Sequence, residues 1–285
     1  MLTLTEAALY AGTTPTKFGR YRVADPQRLD RMHHHRGKTL RKVDHEPPIP
    51  VLDQEDLIEQ GIDTSALVPG ALRVDALGSC TCNAGTASLA ERYAAVHGTD
   101  ALPDIGLSTT DAVADEEYAI RLYHTVTDQT GDPAREWPPT DCGSNGLYVS
   151  AELEKQGLTS GHTTAHGILN LVSMLQGGTV IMGLPWLRVW MEPNRLGFID
   201  GSGSLDDLQQ AVASGVAGGH ETCITAVERL VVDEVGRIDT QASHVRVRNS
   251  WSTAFGDSGS FRIHLSTLEM LGQYADFKQL VVEEA

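Results

Sequence analysis

Helical spacing prevails in this chain up to about residue 176, and runs rich in valine and isoleucine prevail from Thr179 onward. That division constrains the fold more than any other feature. Helices gathered before strands give an α+β architecture rather than the alternating units of a parallel sheet. The helix-like segments are residues 85–97, 116–127, 147–155 and 165–176. In the first of them Leu89 and Tyr93 lie one turn apart, as do Ala90 and Ala94, which makes one apolar stripe. Gly98 supplies a stop. The small residues Ala84, Gly85, Ala87 and Ala90 let another layer approach closely, so this helix is predicted to be central and buried. Strand-like runs follow at 179–184, 223–232, 244–248, 261–263 and 280–282. Val245 and Val247 alternate with Arg246 and Arg248, which predicts one buried and one solvent face. Residues 51–74 form an acidic segment with only weak helical spacing.

The ends and the charge narrow the function. A net charge of −16 argues against a nucleic-acid partner, because phosphate binding needs a basic face. The few basic clusters, such as residues 36–42, are confined to the N-terminal region. No apolar run reaches the roughly 20 residues a membrane span requires, and the first residues lack the basic-then-apolar pattern of a signal peptide. The expected setting is the reducing cytoplasm or, for a phage-encoded chain, the virion. Residues 1–50 read as an extension (a propeptide, strap or docking arm). It has a short apolar stretch at residues 7–10 and closes on Pro47-Pro48-Ile49-Pro50, where extended backbone is favoured. Residues 51–285 are the main domain. The run His33-His34-His35 is assigned to a solvated loop, since adjacent side chains point in different directions.

Four cysteines, Cys80, Cys82, Cys142 and Cys223, are too few and too scattered for a disulfide framework, and no spaced pairs suggest zinc. Cys80 stands where residues 78–84 run into the first helix. A thiol at a helix start is stabilised as thiolate by unpaired N–H groups and the positive end of the dipole. It needs a base and a group that orients the base, and the sequence offers His220 and Asn249. Cys82 lies roughly 200° around the helix from Cys80 and is placed outside the site. Cys82, Cys142 and Cys223 are assigned to the core. Glu221 neighbours His220 on a strand, so its side chain is predicted to face the other way.

The block Asn249-Ser250-Trp251-Ser252 through Phe255-Gly256 to Gly259-Ser260-Phe261 resembles the asparagine motif of papain-like cysteine peptidases. Gly218-Gly219-His220 resembles the histidine motif of that family. Gly78-Ser79-Cys80-Thr81-Cys82-Asn83-Ala84 is similar to the Gly-Ser-Cys-Thr form of its bacterial and phage members. The resemblance implies a two-lobed fold, with an N-terminal helical lobe and a C-terminal, antiparallel, β-barrel-like lobe. It implies that Cys80 is the nucleophile, that His220 is its base and that Asn249 orients the imidazole, with Trp251 shielding the Asn249–His220 hydrogen bond. Residues 142–148 resemble the loop that pairs with an extended substrate, which assigns Asn145 and Gly146 to substrate binding. The family's oxyanion glutamine stands six residues before the cysteine, where this chain has Val74. Asp53-Gln54 resembles the family's Asp-Gln pair, separated from the cysteine by an insertion, so Gln54 is the candidate donor.

The implied activity is hydrolysis of a peptide or protein substrate through a thioester, with no cofactor or metal. Two other readings fit the same residues. One is a binding or structural module, such as a virion component, whose chemistry is impaired by the displaced glutamine. The other is a lysin-type endopeptidase acting on peptidoglycan peptides.

Overall fold

The computed structural model describes residues 18, 20, 31–37, 39–128 and 136–284. The apolar stretch at residues 7–10 lies outside the described residues. Among the described residues, seven strands form one antiparallel sheet. They are β1 (Val43–Asp44), β2 (His162–Thr164), β3 (Val180–Leu187), β4 (Val216–Arg229), β5 (His244–Arg248), β6 (Ser260–His264) and β7 (Asp276–Leu280). The order is β2-β7-β3-β4-β5-β6, and β1 pairs with β4 beyond the end of β3.

The strand path is open, which corrects the barrel-like closure expected of the second lobe. Each edge is covered by its own segment instead of by the other edge. At β2, the Thr164 N–H donates to Arg31 and its carbonyl accepts from His33. At β6, Arg262 exchanges backbone bonds with Gly197 and Ile199. An edge satisfied in this way has no unpaired row left to drive closure.

The helices are α1 (Thr64–Leu67), α2 (Cys80–His97), α3 (Ala112–Asp128), α4 (Gly146–Lys155), α5 (Ile168–Met174), α6 (Leu205–Ala213) and α7 (Leu265–Met270). Two apolar cores flank the sheet. One gathers α2, α3 and α4 with Ile181 and Leu280. The other holds Val180, Met182 and Leu184 with α5 to α7. Strand β3 therefore serves both cores by alternation, and Gly183, in phase with Ile181, faces the helical lobe.

Helix α2 packs on β3, β4 and β7 and also on α3 and α4. It is buried continuously from Cys80 to Glu91, as its small residues predict. A Cβ on Gly85 would lie 2.5 Å from Val149 Cγ1, so α4 approaches as closely as a glycine permits. Gly98, with φ +89°, ends α2 at the predicted place.

Several elements shift relative to the sequence reading. The acidic segment 51–74 contains only α1. The strand read at 280–282 is β7 instead, whose Asp276, Lys278 and Gln279 mask the apolar pattern. The outer face of β5 is not open to solvent, because Arg246 bonds Asp44 and Glu46, and Arg248 bonds Glu46 and the Ile49 carbonyl. Residues 43–50 thus lie along the domain. In the histidine run, the His33 ring lies 3.2 Å from the Ser173 hydroxyl and the His35 N–H donates to Asn170. No helix among the described residues is long and apolar enough to cross a membrane.

Candidate active site

Cys80 is the first residue of α2, following the cap residue Ser79, and is fully buried. Its N–H is among those that an α-helix leaves without an intrahelical carbonyl. Two networks hold this helix start. Ser79 Oγ donates to Asn83 Oδ1 at 2.8 Å, and Asn83 Nδ2 reaches both carboxyl oxygens of Glu116 at 2.7 and 2.8 Å. On the other side, Asp141 accepts from the Gly78 N–H at 2.8 Å and from the Tyr123 hydroxyl at 2.7 Å. The Tyr123 oxygen in turn accepts from the Gly143 N–H. Gly78 is needed here, since a Cβ would lie 2.8 Å from Asp141 Oδ1. Burial raises the Asp141 carboxyl above its ordinary value, against the opposing bonds from Tyr123, Gly78 and Gly143.

His220 sits on β4, against which α2 packs. Its Nε2 lies 2.7 Å from Asn249 Oδ1, and both residues are buried. Asn249 directly follows β5, the strand paired with β4. The imidazole is stacked on Trp251, with ring centroids 4.7 Å apart and planes at 24°. Trp186 meets it edge-on at 4.9 Å, and Phe18 at 5.8 Å. The His220–Asn249 bond is therefore enclosed by aromatic rings, where a hydrogen bond is electrostatically stronger than in water. Trp251 was singled out from its motif. Trp186 was not, because within an apolar strand it carries no signal beyond core packing.

Gln54 is buried and spans two parts of the site. Its Oε1 accepts from Ser250 Oγ at 2.6 Å, and its Nε2 donates to the Leu77 carbonyl at 2.8 Å. The backbones join as well, with Gln54 N–H on Ser250 O and Leu77 N–H on Gln54 O. The insertion thus begins and ends at one point, returning to Leu77 just before the Gly78-Ser79-Cys80 turn. Val74, at the position where a glutamine was sought, packs against the helical-lobe core.

In the loop before α4, Asn145 caps the helix through Leu147 N–H, and the Gly146 N–H donates to Glu221 Oε2 at 3.1 Å. Backbone pairing falls one residue earlier, where Ser144 forms a parallel bridge with Arg20. Glu221 turns to the face of β4 that meets the helical lobe and is fully buried. Burial, followed by the Asp276 charge, raises its carboxyl to about 7, against the Lys278 and Arg20 charges. Cys82 also faces the helical core, and burial pushes its thiol well up.

No family model and no curated protein sequence matches this chain. Solved structures do. A digestive procathepsin L 3 from the larval midgut of Tenebrio molitor matches at a TM-score of 0.51 and 12% identity, covering 97% of this chain and 78% of its own. Xylellain, a cysteine protease from Xylella fastidiosa, matches at 0.47 and 18%, covering 94% and 97%. The fold is papain-like. At such identities the likeness speaks for the fold alone, and the chemistry has to be argued from the residues of this chain.

Proposed function

We propose that this chain is a cysteine peptidase with Cys80 as nucleophile, His220 as general base and acid, and Asn249 as the group orienting the imidazole. The observation that carries the reading is the buried 2.7 Å contact between His220 Nε2 and Asn249 Oδ1, stacked under Trp251 on the strand that α2 packs against. With Nε2 committed to a side-chain carbonyl that can only accept, Nε2 carries a proton, and Nδ1 is the atom that exchanges one with the Cys80 thiol. The imidazolium and the α2 N-terminus then both favour the thiolate. The Gly78-Ser79-Cys80-Thr81 sequence allies the chain with bacterial and phage enzymes of this type.

In the first half-reaction Cys80 Sγ attacks a peptide carbonyl, and His220 passes its proton to the departing amine, leaving a thioester. In the second, His220 takes a proton from water as the water attacks the thioester, and Cys80 is released. The oxyanion formed in each step needs donors. The Cys80 N–H is one. The second Nε2 hydrogen of Gln54 is the other, since the first is used by the Leu77 carbonyl.

Turnover of a fluorogenic peptide library, together with the rate of Cys80 alkylation by iodoacetamide, tests the reading. Peptide cleavage and rapid alkylation, both lost in His220→Ala, are the expected result. Alkylation no faster than that of a free thiol, with no cleavage, favours a binding module instead.

A further inference from the structure

Arg20 contributes both backbone and side chain to the cleft beside His220. Its N–H donates to the Gly219 carbonyl at 3.1 Å, one residue before His220, and on the other wall it bridges Ser144. Phe18, two residues earlier, sits edge-on to His220 and Trp251. The Arg20 backbone is thus held between the two walls of the site, where a peptide substrate would lie.

The Arg20 side chain enters a recess whose sides are built by three adjacent strands in register. Gly183 of β3 stands opposite Asp276 of β7 and opposite Glu221 of β4. Directly opposed residues of an antiparallel pair project on the same face, so the glycine is the gap between two carboxylates. The gap is filled by the guanidinium: a Cβ on Gly183 would lie 2.2 Å from Arg20 Nε. A Cβ on Gly219 would lie 2.1 Å from the Arg20 carbonyl oxygen, and one on Gly146 would lie 2.1 Å from Glu221 Oε1. Glycine thus makes room for the Arg20 side chain at Gly183, for its backbone at Gly219 and for the Glu221 carboxylate at Gly146.

The charges match the shape. Arg20 forms an ion pair with Asp276, whose other oxygen accepts from Lys278. Among the described residues, Glu221 Oε1 and Arg20 Nε are buried without hydrogen-bond partners. The Asp276 side chain remains 27% exposed, so the recess is not sealed. With Arg20 withdrawn, two carboxylates would face one ammonium, and a cation would be missing.

We propose that this recess is the specificity site for an arginine side chain of the peptide substrate, and that Arg20 occupies it as an internal stand-in. The proposal deepens the peptidase reading and rests on it for the word substrate. Asp276 supplies the paired acceptor, Glu221 the second carboxylate, and Gly183 the space.

The test is calorimetric titration of the full chain carrying Arg20→Ala and Cys80→Ala with blocked pentapeptides. Each peptide holds arginine or its uncharged isostere citrulline at one scanned position. At one position the arginine peptide should bind at least about tenfold more tightly, as expected for a charge-assisted pair. Asp276→Asn should abolish that preference. Glu221→Gln, which serves if Asp276→Asn does not fold, should reduce it. Equal binding of the two peptides, binding of neither, or a preference untouched by both variants overturns the proposal. Cleavage of the same peptides by the Arg20→Ala chain with Cys80 intact separates the two readings. Arginine-selective binding without cleavage keeps the recess and rejects the peptidase, whereas cleavage indifferent to arginine does the reverse.

Discussion

Gln54 and Ser250 are 196 residues apart in the chain, yet the Ser250 hydroxyl donates to the Gln54 amide oxygen at 2.6 Å in a fully buried position. Through Nε2 the same amide holds the Leu77 carbonyl. One side chain thus ties the turn that leads to Cys80 to the loop that follows Asn249.

Gln54→Ala is expected to lower kcat by about 10²–10³, the usual effect of losing one oxyanion donor. It also leaves the Ser250 hydroxyl and the Leu77 carbonyl unpaired, at about 1–3 kcal/mol of stability each. Ser250→Ala leaves Gln54 in place on Leu77 and should keep most of kcat while losing stability. Steady-state kinetics and urea unfolding on both variants check this. Equal kcat losses would show that Gln54 acts only as a clamp.

Asp141→Ala is expected to loosen the turn before Cys80 from a distance. It strands the Gly78 N–H and the Tyr123 hydroxyl, and through Tyr123 the Gly143 N–H. The cost should be about 1–3 kcal/mol per stranded group, with a lowered rate of Cys80 alkylation. Asp141→Asn keeps an acceptor oxygen and should recover part of both. Alkylation kinetics measured beside thermal unfolding decide it, and an unchanged alkylation rate would remove Asp141 from the support of the site.

The proposed trio stands out in the sequence because each member lies in a short local pattern. Cys80 starts a helix, His220 lies in a Gly-Gly-His run at a strand, and Asn249 precedes Ser250-Trp251. The helix–strand order gave the α+β layering for the same reason, since periodicity is a local property. What stayed hidden depends on pairing between distant strands. Asp276, Gly183 and Glu221 come together only through the β7-β3-β4 register. Glu221 was expected to turn from His220 and is placed on the face toward the helical lobe, but alternation alone does not say that a cavity waits there. Arg20 lies in a stretch with no motif at all. Closure of the sheet was misjudged because the segments covering β2 and β6 carry no strand pattern.

Gly183→Ala should be costly only while Arg20 fills the recess, since the new methyl group would stand 2.2 Å from Nε. A loss of about 1–3 kcal/mol is expected in the native chain, typical of overpacking. In the Arg20→Ala background the same substitution should cost under about 0.5 kcal/mol, the limit for independent sites. A double-mutant cycle by urea unfolding measures the coupling. Additive costs would place the guanidinium elsewhere.

Glu116 predicts a pH dependence of stability whose sign follows from burial. Desolvation raises its carboxyl from the ordinary 4.5 to about 7, although Asn83 and the Asp53 N–H donate to it. The unfolded chain releases this proton near 4.5, and the folded chain holds it to about 7, so folding takes up a proton between those values. Its contribution is fully present below about 4.5, declines as pH rises through that window and is lost above 7. The ceiling is about 3 kcal/mol for a shift of this size. Glu221, also raised to about 7 by burial, adds a second contribution of the same sign. Glu116→Gln has no proton to exchange, so its stability should fall less than that of the native chain between pH 4.5 and pH 8. The residual slope should be owed to the other carboxyls that burial raises into this window, Glu221 and Asp115 among them. Urea unfolding of both chains at the two pH values gives the difference directly, and any constant cost of the amide cancels. Identical falls in the two chains would mean that Glu116 is ionised in the fold from low pH, held so by Asn83 and the Asp53 N–H despite its burial.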